Sequence, residues 1–206
     1  MKMLKMSLLV LFHPVVAFSY IQKERDNYRG YPIIVLLAAG ILVRLISLEF
    51  THYPLAVVDT RNANLVMECA KLFVPLISWV IASYAMTTIM SGETLIREAM
   101  LAAAYSLVPY ILFMPPLTLL SRIMDGGQAG TYNAVKVAIL CWTLLLMVVN
   151  LKEMNHFSCG KTLLVILLSL FTVAFLWAAV ALFFAISSQF LGFVREVVNE
   201  IRYKFY

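Results

Sequence analysis

The feature that most constrains this chain is a run of 33 residues, 162–194, that contains no Asp, Glu, Lys or Arg. An uncharged apolar stretch of this kind is typical of a transmembrane helix, since about 20 helical residues cross the hydrocarbon core of a bilayer. As one continuous helix the run would be about 50 Å long, against a core of about 30 Å. The helix must therefore tilt, bend or protrude from the membrane.

Four further apolar segments precede this run, at 31–48, 65–90, 99–121 and 132–151. The composition agrees with a membrane protein, because 63% of the residues are hydrophobic and 13% are charged, whereas about 25% are charged in a soluble domain. The sequence therefore predicts an all-α integral membrane protein. We expect residues 31–194 to form one bundle of five transmembrane helices.

Amphipathic segments are predicted at both ends of the chain. In residues 1–30, which we expect in the cytoplasm, the side chains that can share one helical face are Leu4, Leu8, Leu11, Val15 and Phe18. This pattern predicts one or two short helices on the membrane surface. After residue 194 the apolar side chains recur at helical spacing up to Phe205. The tail, 195–206, is therefore predicted to be an amphipathic helix that lies on the membrane or on a partner.

The distribution of lysine and arginine favours a cytoplasmic N-terminus, because cytoplasmic loops are enriched in these residues. In this orientation eight of the 16 basic residues lie in the cytoplasm and five outside, while Arg44, Lys71 and Lys136 lie within spans. The C-terminus is then extracytoplasmic. The net charge of +5 comes from these flanks, so we expect no binding to nucleic acid.

Four charged residues fall within the predicted spans, namely Arg44, Glu68, Lys71 and Lys136. An ionisable side chain in a span is a functional hypothesis by default. In the orientation above, however, each lies near the outer end of its span, where a long side chain can reach the headgroups. Glu68 and Lys71 are also three residues apart on one helix, so they can pair with each other.

Four prolines are expected to kink the second and third spans: Pro75, Pro109, Pro115 and Pro116. Each removes one backbone hydrogen bond from a helix. In lipid the freed carbonyl needs a partner from a neighbouring helix or from water. The kinks are consistent with a tightly packed bundle or, as a sharper alternative, with a gating hinge.

No motif in the sequence indicates catalysis. The histidines, His13, His52 and His156, form no HxxxH or HExxH pair, and neither a GxSxG elbow nor a GxxxxGK[ST] loop occurs. The three cysteines match no metal or disulfide spacing. We therefore expect no enzyme activity, no metal and no cofactor.

Three segments together resemble the Yip family, named for Ypt/Rab-interacting proteins. They are HPVVAFSYIQKERDNYRG (13–30), SYAMTTIMSGETLIREAM (83–100) and AYSLVPYILFMPPLTLLS (104–121). The first is similar to the family's pre-membrane stretch, the second to the junction between spans two and three, and the third to its Y.L.P......P motif. The chain departs from the family at Ser83-Tyr84, where an Asn-aromatic pair is common, and at Thr94, where Gly is common.

The resemblance is greatest to bacterial members, particularly those of Gram-positive bacteria that are associated with ABC transporters, often carbohydrate importers. The chain lacks the DLYGP-like motif of eukaryotic members, and its RE..NEIR tail is similar to the bacterial branch. The resemblance implies a non-catalytic accessory subunit in a bacterial plasma membrane, bound to the lipid bilayer and to a transporter permease. The alternatives are an independent small-solute transporter or channel, and a trafficking protein that recruits a small GTPase.

Partner contacts are expected at two places. One is the cytoplasmic turn between spans two and three, at Glu93 and Arg97. The other is the tail, at Phe190, Val194 and Val197.

Overall fold

Eight α-helices make up most of the protein in a computed structural model that describes residues 3–23, 30–51 and 64–205. In chain order they are α1 (Met3–Phe12), α2 (Pro14–Lys23), α3 (Tyr31–Phe50), α4 (Leu65–Ile89), α5 (Ile96–Ser106), α6 (Val108–Leu120), α7 (Ala129–Met154) and α8 (Cys159–Phe205). No strand occurs in these three ranges. Most of the stretch between the first two predicted spans, 49–64, lies outside these ranges, as do the basic residues Lys2, Arg25, Arg29 and Arg61.

Five stretches of helix are long and apolar enough to cross a membrane, which confirms the predicted number of spans. They are Tyr31–Phe50, Val66–Ile89, Ile96–Leu120, Gly126–Met154 and Cys159–Glu200. We define the distal end of the bundle as the end at which α3 and α6 finish and α4 and α7 begin. The opposite end, where α4 and α7 end and α5 and α8 begin, is the proximal end.

The third span begins three residues earlier than predicted, because Glu98 caps its first turn. The Glu98 Oε2 atom accepts a hydrogen bond of 3.0 Å from the Leu95 amide. That bond satisfies one of the amides that a helix N-terminus leaves without an intrahelical partner.

The third span is divided at Leu107, directly before the Val108-Pro109 pair. Pro109 has no amide hydrogen, so it cannot donate to the Tyr105 carbonyl one turn earlier. Pro109 therefore occupies the first turn of the new helix α6, where its missing donor costs little. By contrast, Pro75 lies inside α4, and Pro115 and Pro116 lie inside α6, without ending those helices.

The largest buried apolar cluster joins the N-terminal helices to the bundle. Side chains of α1 and α2 that are almost completely buried pack with α5 and α7; they are Met6, Val10, Ala17, Phe18 and Ile21. Of the predicted apolar face, Leu11 and Phe18 are buried in the bundle, whereas Leu4, Leu8 and Val15 are exposed. Contact of these exposed side chains with the membrane surface stays a prediction. The two short helices exist as predicted, but they are part of the bundle core.

Helix α8 is a single helix of 47 residues, about 70 Å long. Its first turns pack chiefly on α4 and bury Thr162, Val165 and Ser169. From Ala174 to Glu200 every side chain is exposed or half-exposed, including large apolar ones such as Phe183 and Phe190. The long uncharged run therefore leaves the bundle, and no break separates it from the amphipathic tail.

The buried position of Phe18 generates a stability prediction. We expect Phe18→Ala to lower the free energy of unfolding by about 3–5 kcal/mol, because it leaves a cavity among α2, α5 and α7. The matched control is Phe12→Ala, since Phe12 is 71% exposed. Unfolding of the detergent-purified protein by sodium dodecyl sulfate measures both variants. Equal losses would contradict the packing of α2 in the core.

Candidate functional site

The four charged residues of the spans lie together at the distal end, although they come from three helices. Arg44 Nη2 of α3 lies 2.6 Å from Glu68 Oε2 of α4. Lys71 Nζ, one turn further along α4, lies 2.5 Å from the other oxygen of Glu68. Lys136 of α7 is within electrostatic range of Arg44. The carboxylate therefore bridges two cations.

Glu68 is placed by the first turn of α4. Asn64 caps this helix, and its side-chain oxygen accepts bonds from the amides of Val66 and Met67. A negative charge in the first turn also interacts favourably with the helix dipole. The Glu68 side chain is 3% exposed, and a buried carboxylate without a partner would be strongly unfavourable. The bonds from Arg44 and Lys71 supply that partner.

The sequence predicted part of this arrangement. The contact between Glu68 and Lys71 is confirmed, because their spacing on one helix brings them together. The bond from Arg44 was missed, since residues 24 positions apart meet only when α3 packs on α4. The prediction that these side chains reach the headgroups is consistent with Lys71, whose side chain is 53% exposed. It does not describe Glu68, whose side chain is buried.

Tyr110 of α6 also belongs to this site, and no sequence motif indicated it. Its hydroxyl is buried, and the Arg44 guanidinium is the side chain beside it that can donate a hydrogen bond. The hydroxyl lies within electrostatic range of Arg44 and of Tyr132 on α7. We refer to Arg44, Glu68, Lys71, Tyr110 and Lys136 as the distal cluster.

At the proximal end, Thr94 and Asn155 join the turn after α4 to the turn after α7. The Thr94 hydroxyl donates to Asn155 Oδ1 at 2.8 Å, and the Thr94 amide lies 3.3 Å from the same oxygen. Asn155 Nδ2 in turn donates to the Leu151 carbonyl at 2.9 Å. Sequence reasoning noted Thr94 only as a departure from the family. Its hydroxyl here performs a packing role that Gly could not.

Beside this contact a polar cavity of about 20 Å³ lies among α4, α5 and α7. Six of its lining side chains are polar: Ser83, Tyr84, Thr87, Thr94, Asn150 and Asn155. A volume of about 10–15 Å³ holds one water molecule, so the cavity suits a single buried water.

The predicted partner residues of the turn face the chain's own N-terminal segment. Gln22 Nε2 of α2 lies 3.4 Å from Glu93 Oε2. The Arg97 guanidinium lies 3.8 Å from the position that a Cβ atom would take at Gly30. Both side chains remain exposed. Their contact with another protein stays a prediction.

The predicted partner residues of the tail lie on α8 beyond the bundle. Phe190, Val194 and Val197 are all exposed. Their role in binding also stays a prediction.

The ion pairs of the distal cluster generate a second stability prediction. We expect Glu68→Gln to cost about 3–5 kcal/mol, because it leaves the partly buried Arg44 guanidinium without its anion. Glu49→Gln is the matched control, since Glu49 is exposed on α3 near the same end and such substitutions usually stay within about 0.5 kcal/mol. Detergent unfolding curves give both values. A cost for Glu68→Gln no greater than for Glu49→Gln would contradict the bridging role.

The turn after α4 and the turn after α7 lie close together at the proximal end, and this generates a third prediction. A Cβ atom at Gly92 would lie 2.9 Å from the Thr87 carbonyl oxygen and would also overlap the Asn155 amide oxygen. We expect Gly92→Ala to lower the unfolding temperature in detergent, whereas Gly127→Ala, with nothing within 4 Å, should not. Equal unfolding temperatures for the two variants would show that the turns are not in close contact.

Five apolar spans, joined by buried hydrogen bonds and an ion pair, define a polytopic helical membrane protein. Comparison with known proteins gives the family: the Yip1 domain matches residues 8–188. The chain therefore belongs to the Yip1-domain family. No curated protein and no solved structure matches it.

Proposed function

We propose that this Yip1-domain protein is a non-catalytic accessory subunit of a membrane transport complex, and that α8 is the helix that binds its partner. The observation that carries the proposal is the exposure of α8 beyond the bundle. From Ala174 to Glu200 the helix is long, apolar over most of its length, and has no buried side chain. Membrane helices associate through close packing, since lipid gives no hydrophobic driving force between them.

The exposed part of α8 carries small residues at a regular spacing of four and three positions. They are Ala174, Ala178, Ala181, Ala185, Ser188 and Gly192. Small residues at such spacing let two helix backbones approach closely in a membrane. A Cβ atom at Gly192 would meet nothing within 4 Å, so this surface is open. The stripe extends over 19 residues, and its two ends are about 27 Å apart, close to the thickness of the hydrocarbon core.

The stripe lies away from the bundle. Successive residues of a helix are about 100° apart around its axis. The centre of the stripe is therefore roughly 150° around α8 from the face that contains Val165 and Ser169, which are buried where α8 packs on α4. A partner helix on this side would not compete with the contact between α8 and α4. The chain can therefore keep its own fold while it binds.

The proposed identity of the complex rests on the resemblance to bacterial members of the family. It supports an ABC transporter of the carbohydrate-importing kind, in a bacterial plasma membrane, with the accessory chain bound to a permease. The lysine and arginine distribution supports a cytoplasmic N-terminus and an extracytoplasmic C-terminus. We also propose that the chain itself catalyses no reaction.

An independent transporter is the main alternative. Such a protein binds its solute near the middle of the membrane. The polar cavity at α4, α5 and α7 has a volume of about 20 Å³, which is too small for a solute larger than water. This favours the accessory role. The other alternative, recruitment of a small GTPase, requires a cytoplasmic surface; Glu93 and Arg97 are its candidates.

Replacement of one small residue tests the proposal. The tagged protein is purified from its native membrane in mild detergent, and bound proteins are identified by mass spectrometry. We expect permease and ATPase subunits at stoichiometric amounts. Ala181→Phe should reduce their recovery about tenfold, because overpacking a close helix interface costs about 1–3 kcal/mol.

The matched control is Ala179→Phe, the same substitution at an exposed alanine on another face of α8. Equal recovery with both variants would show that the stripe is not the interface. Recovery of the wild-type protein alone would contradict the accessory role. Solute uptake by the reconstituted protein would then be the next measurement.

A further inference from the structure

The polar cavity at the proximal end is lined chiefly by hydrogen-bond acceptors. Five of its polar side chains are almost completely buried: Ser83, Thr87, Thr94, Asn150 and Asn155. The hydroxyls of Ser83 and Thr87 donate to backbone carbonyls of α4 at 3.2 Å and 2.9 Å, and the Thr94 hydroxyl donates to Asn155 Oδ1. A hydroxyl has one hydrogen and two lone pairs. These three oxygens therefore still have lone pairs for a ligand.

Asn150 supplies a fourth oxygen, and this oxygen is unbonded. The Nδ2 atom of Asn150 donates to the Ser106 hydroxyl at 3.2 Å, and Ser106 does not line the cavity. No described residue donates a hydrogen bond to Asn150 Oδ1, although the side chain belongs to a residue that is only 9% exposed. Buried polar atoms are normally bonded to the protein or to an occupant of a cavity. The free oxygen therefore indicates that the cavity holds a ligand.

The helix ends around the cavity favour a positive charge. Thr87 belongs to the last turn of α4, and Leu151 and Met154 belong to the last turn of α7. The C-terminus of a helix carries a partial negative charge that stabilises a cation near its last turn. Helix α5 begins at the same end with the opposite partial charge, but the Glu98 carboxylate caps its first turn. Two helix C-termini and four oxygens therefore favour a cation over a neutral water molecule.

The wall of the cavity also limits the charge and the size of the cation. Neither a carboxylate nor a basic side chain lines it among the described residues. Calcium and magnesium ions are bound in proteins largely by carboxylates, so a divalent ion would lack its usual ligands here. The volume of about 20 Å³ is sufficient for one particle of the size of water. Helix C-terminal ends and neutral oxygens are the groups that coordinate sodium in membrane proteins.

We propose that this cavity is a binding site for a sodium ion. The ligands are the side-chain oxygens of Ser83, Thr87, Thr94 and Asn150, and Asn155 positions Thr94 through its hydrogen bond. The ion joins α4 to α7 and to the turn before α5, so its binding stabilises the proximal end of the bundle. Sodium binding does not depend on the accessory role, because the cavity lies inside the bundle and away from α8.

Binding of radioactive sodium to the full-length, detergent-purified protein measures the occupancy directly. N-methylglucamine is the background cation, because it is too large for the cavity. We expect saturable binding of one ion per chain, displaced by unlabelled sodium but not by calcium at the same concentration. The unfolding temperature should also be higher in sodium chloride than in N-methylglucamine chloride at equal ionic strength, since a ligand of the folded state stabilises that state.

Thr87→Val removes one ligand oxygen and keeps the shape of the side chain. Thr88→Val is the matched control, because the Thr88 hydroxyl donates to the same Tyr84 carbonyl at 2.8 Å but is exposed and does not line the cavity. In each variant the other threonine still bonds that carbonyl. We expect Thr87→Val to weaken sodium binding about tenfold, the effect of removing one neutral partner from a charged group, and Thr88→Val to leave it unchanged.

Ser83→Ala removes a second ligand oxygen and should also weaken sodium binding. Wild-type protein that binds no radioactive sodium and unfolds at the same temperature in both salts would show that the cavity holds only water, and would overturn the proposal. Equal sodium affinities of the Thr87→Val and Thr88→Val variants would show that sodium binds elsewhere, and would overturn it as well.

Discussion

The structure depends on one constraint: a carboxylate held inside the bilayer must find its counter-charges within the protein. Glu68 meets this constraint through Arg44 and Lys71, and the bond to Arg44 holds α3 against α4. The same rule accounts for the other polar bonds between helices. Ser47 bonds Thr118 between α3 and α6 at 3.1 Å, and Asn150 bonds Ser106 between α7 and α5 at 3.2 Å. These bonds select one arrangement of helices whose apolar surfaces would otherwise pack in several ways.

The bundle and α8 therefore have different physical roles. Helices α1 to α7 are joined by hydrogen bonds and ion pairs and leave a polar cavity that suits one water molecule. Helix α8 contacts them only along its first turns and then presents a stripe of small residues to the lipid. A rigid bundle with one projecting apolar helix is suited to holding another membrane protein in place.

Local patterns in the sequence were sufficient for the span number and the contact between Glu68 and Lys71, because each depends on neighbours along one helix. They did not distinguish Pro109, where the helix breaks, from the three prolines that lie inside helices. Contacts between helices were not predictable in this way. The bond from Arg44 and the contact of Thr94 with Asn155 join residues 24 and 61 positions apart. The buried face of α1 was also missed, since a helix that is apolar all round has no pattern to show which side meets the bundle.

Photo-crosslinking in the native membrane tests the central claim most directly, namely that α8 binds another membrane protein through its small residues. A benzophenone amino acid is placed at Ala181 in one variant and at Ala179, on another face, in the second. We expect the probe at position 181 to form a covalent adduct with a different integral membrane protein, and the probe at position 179 to react with lipid. Adducts with lipid alone at position 181, or the same protein adduct from both positions, would contradict the account.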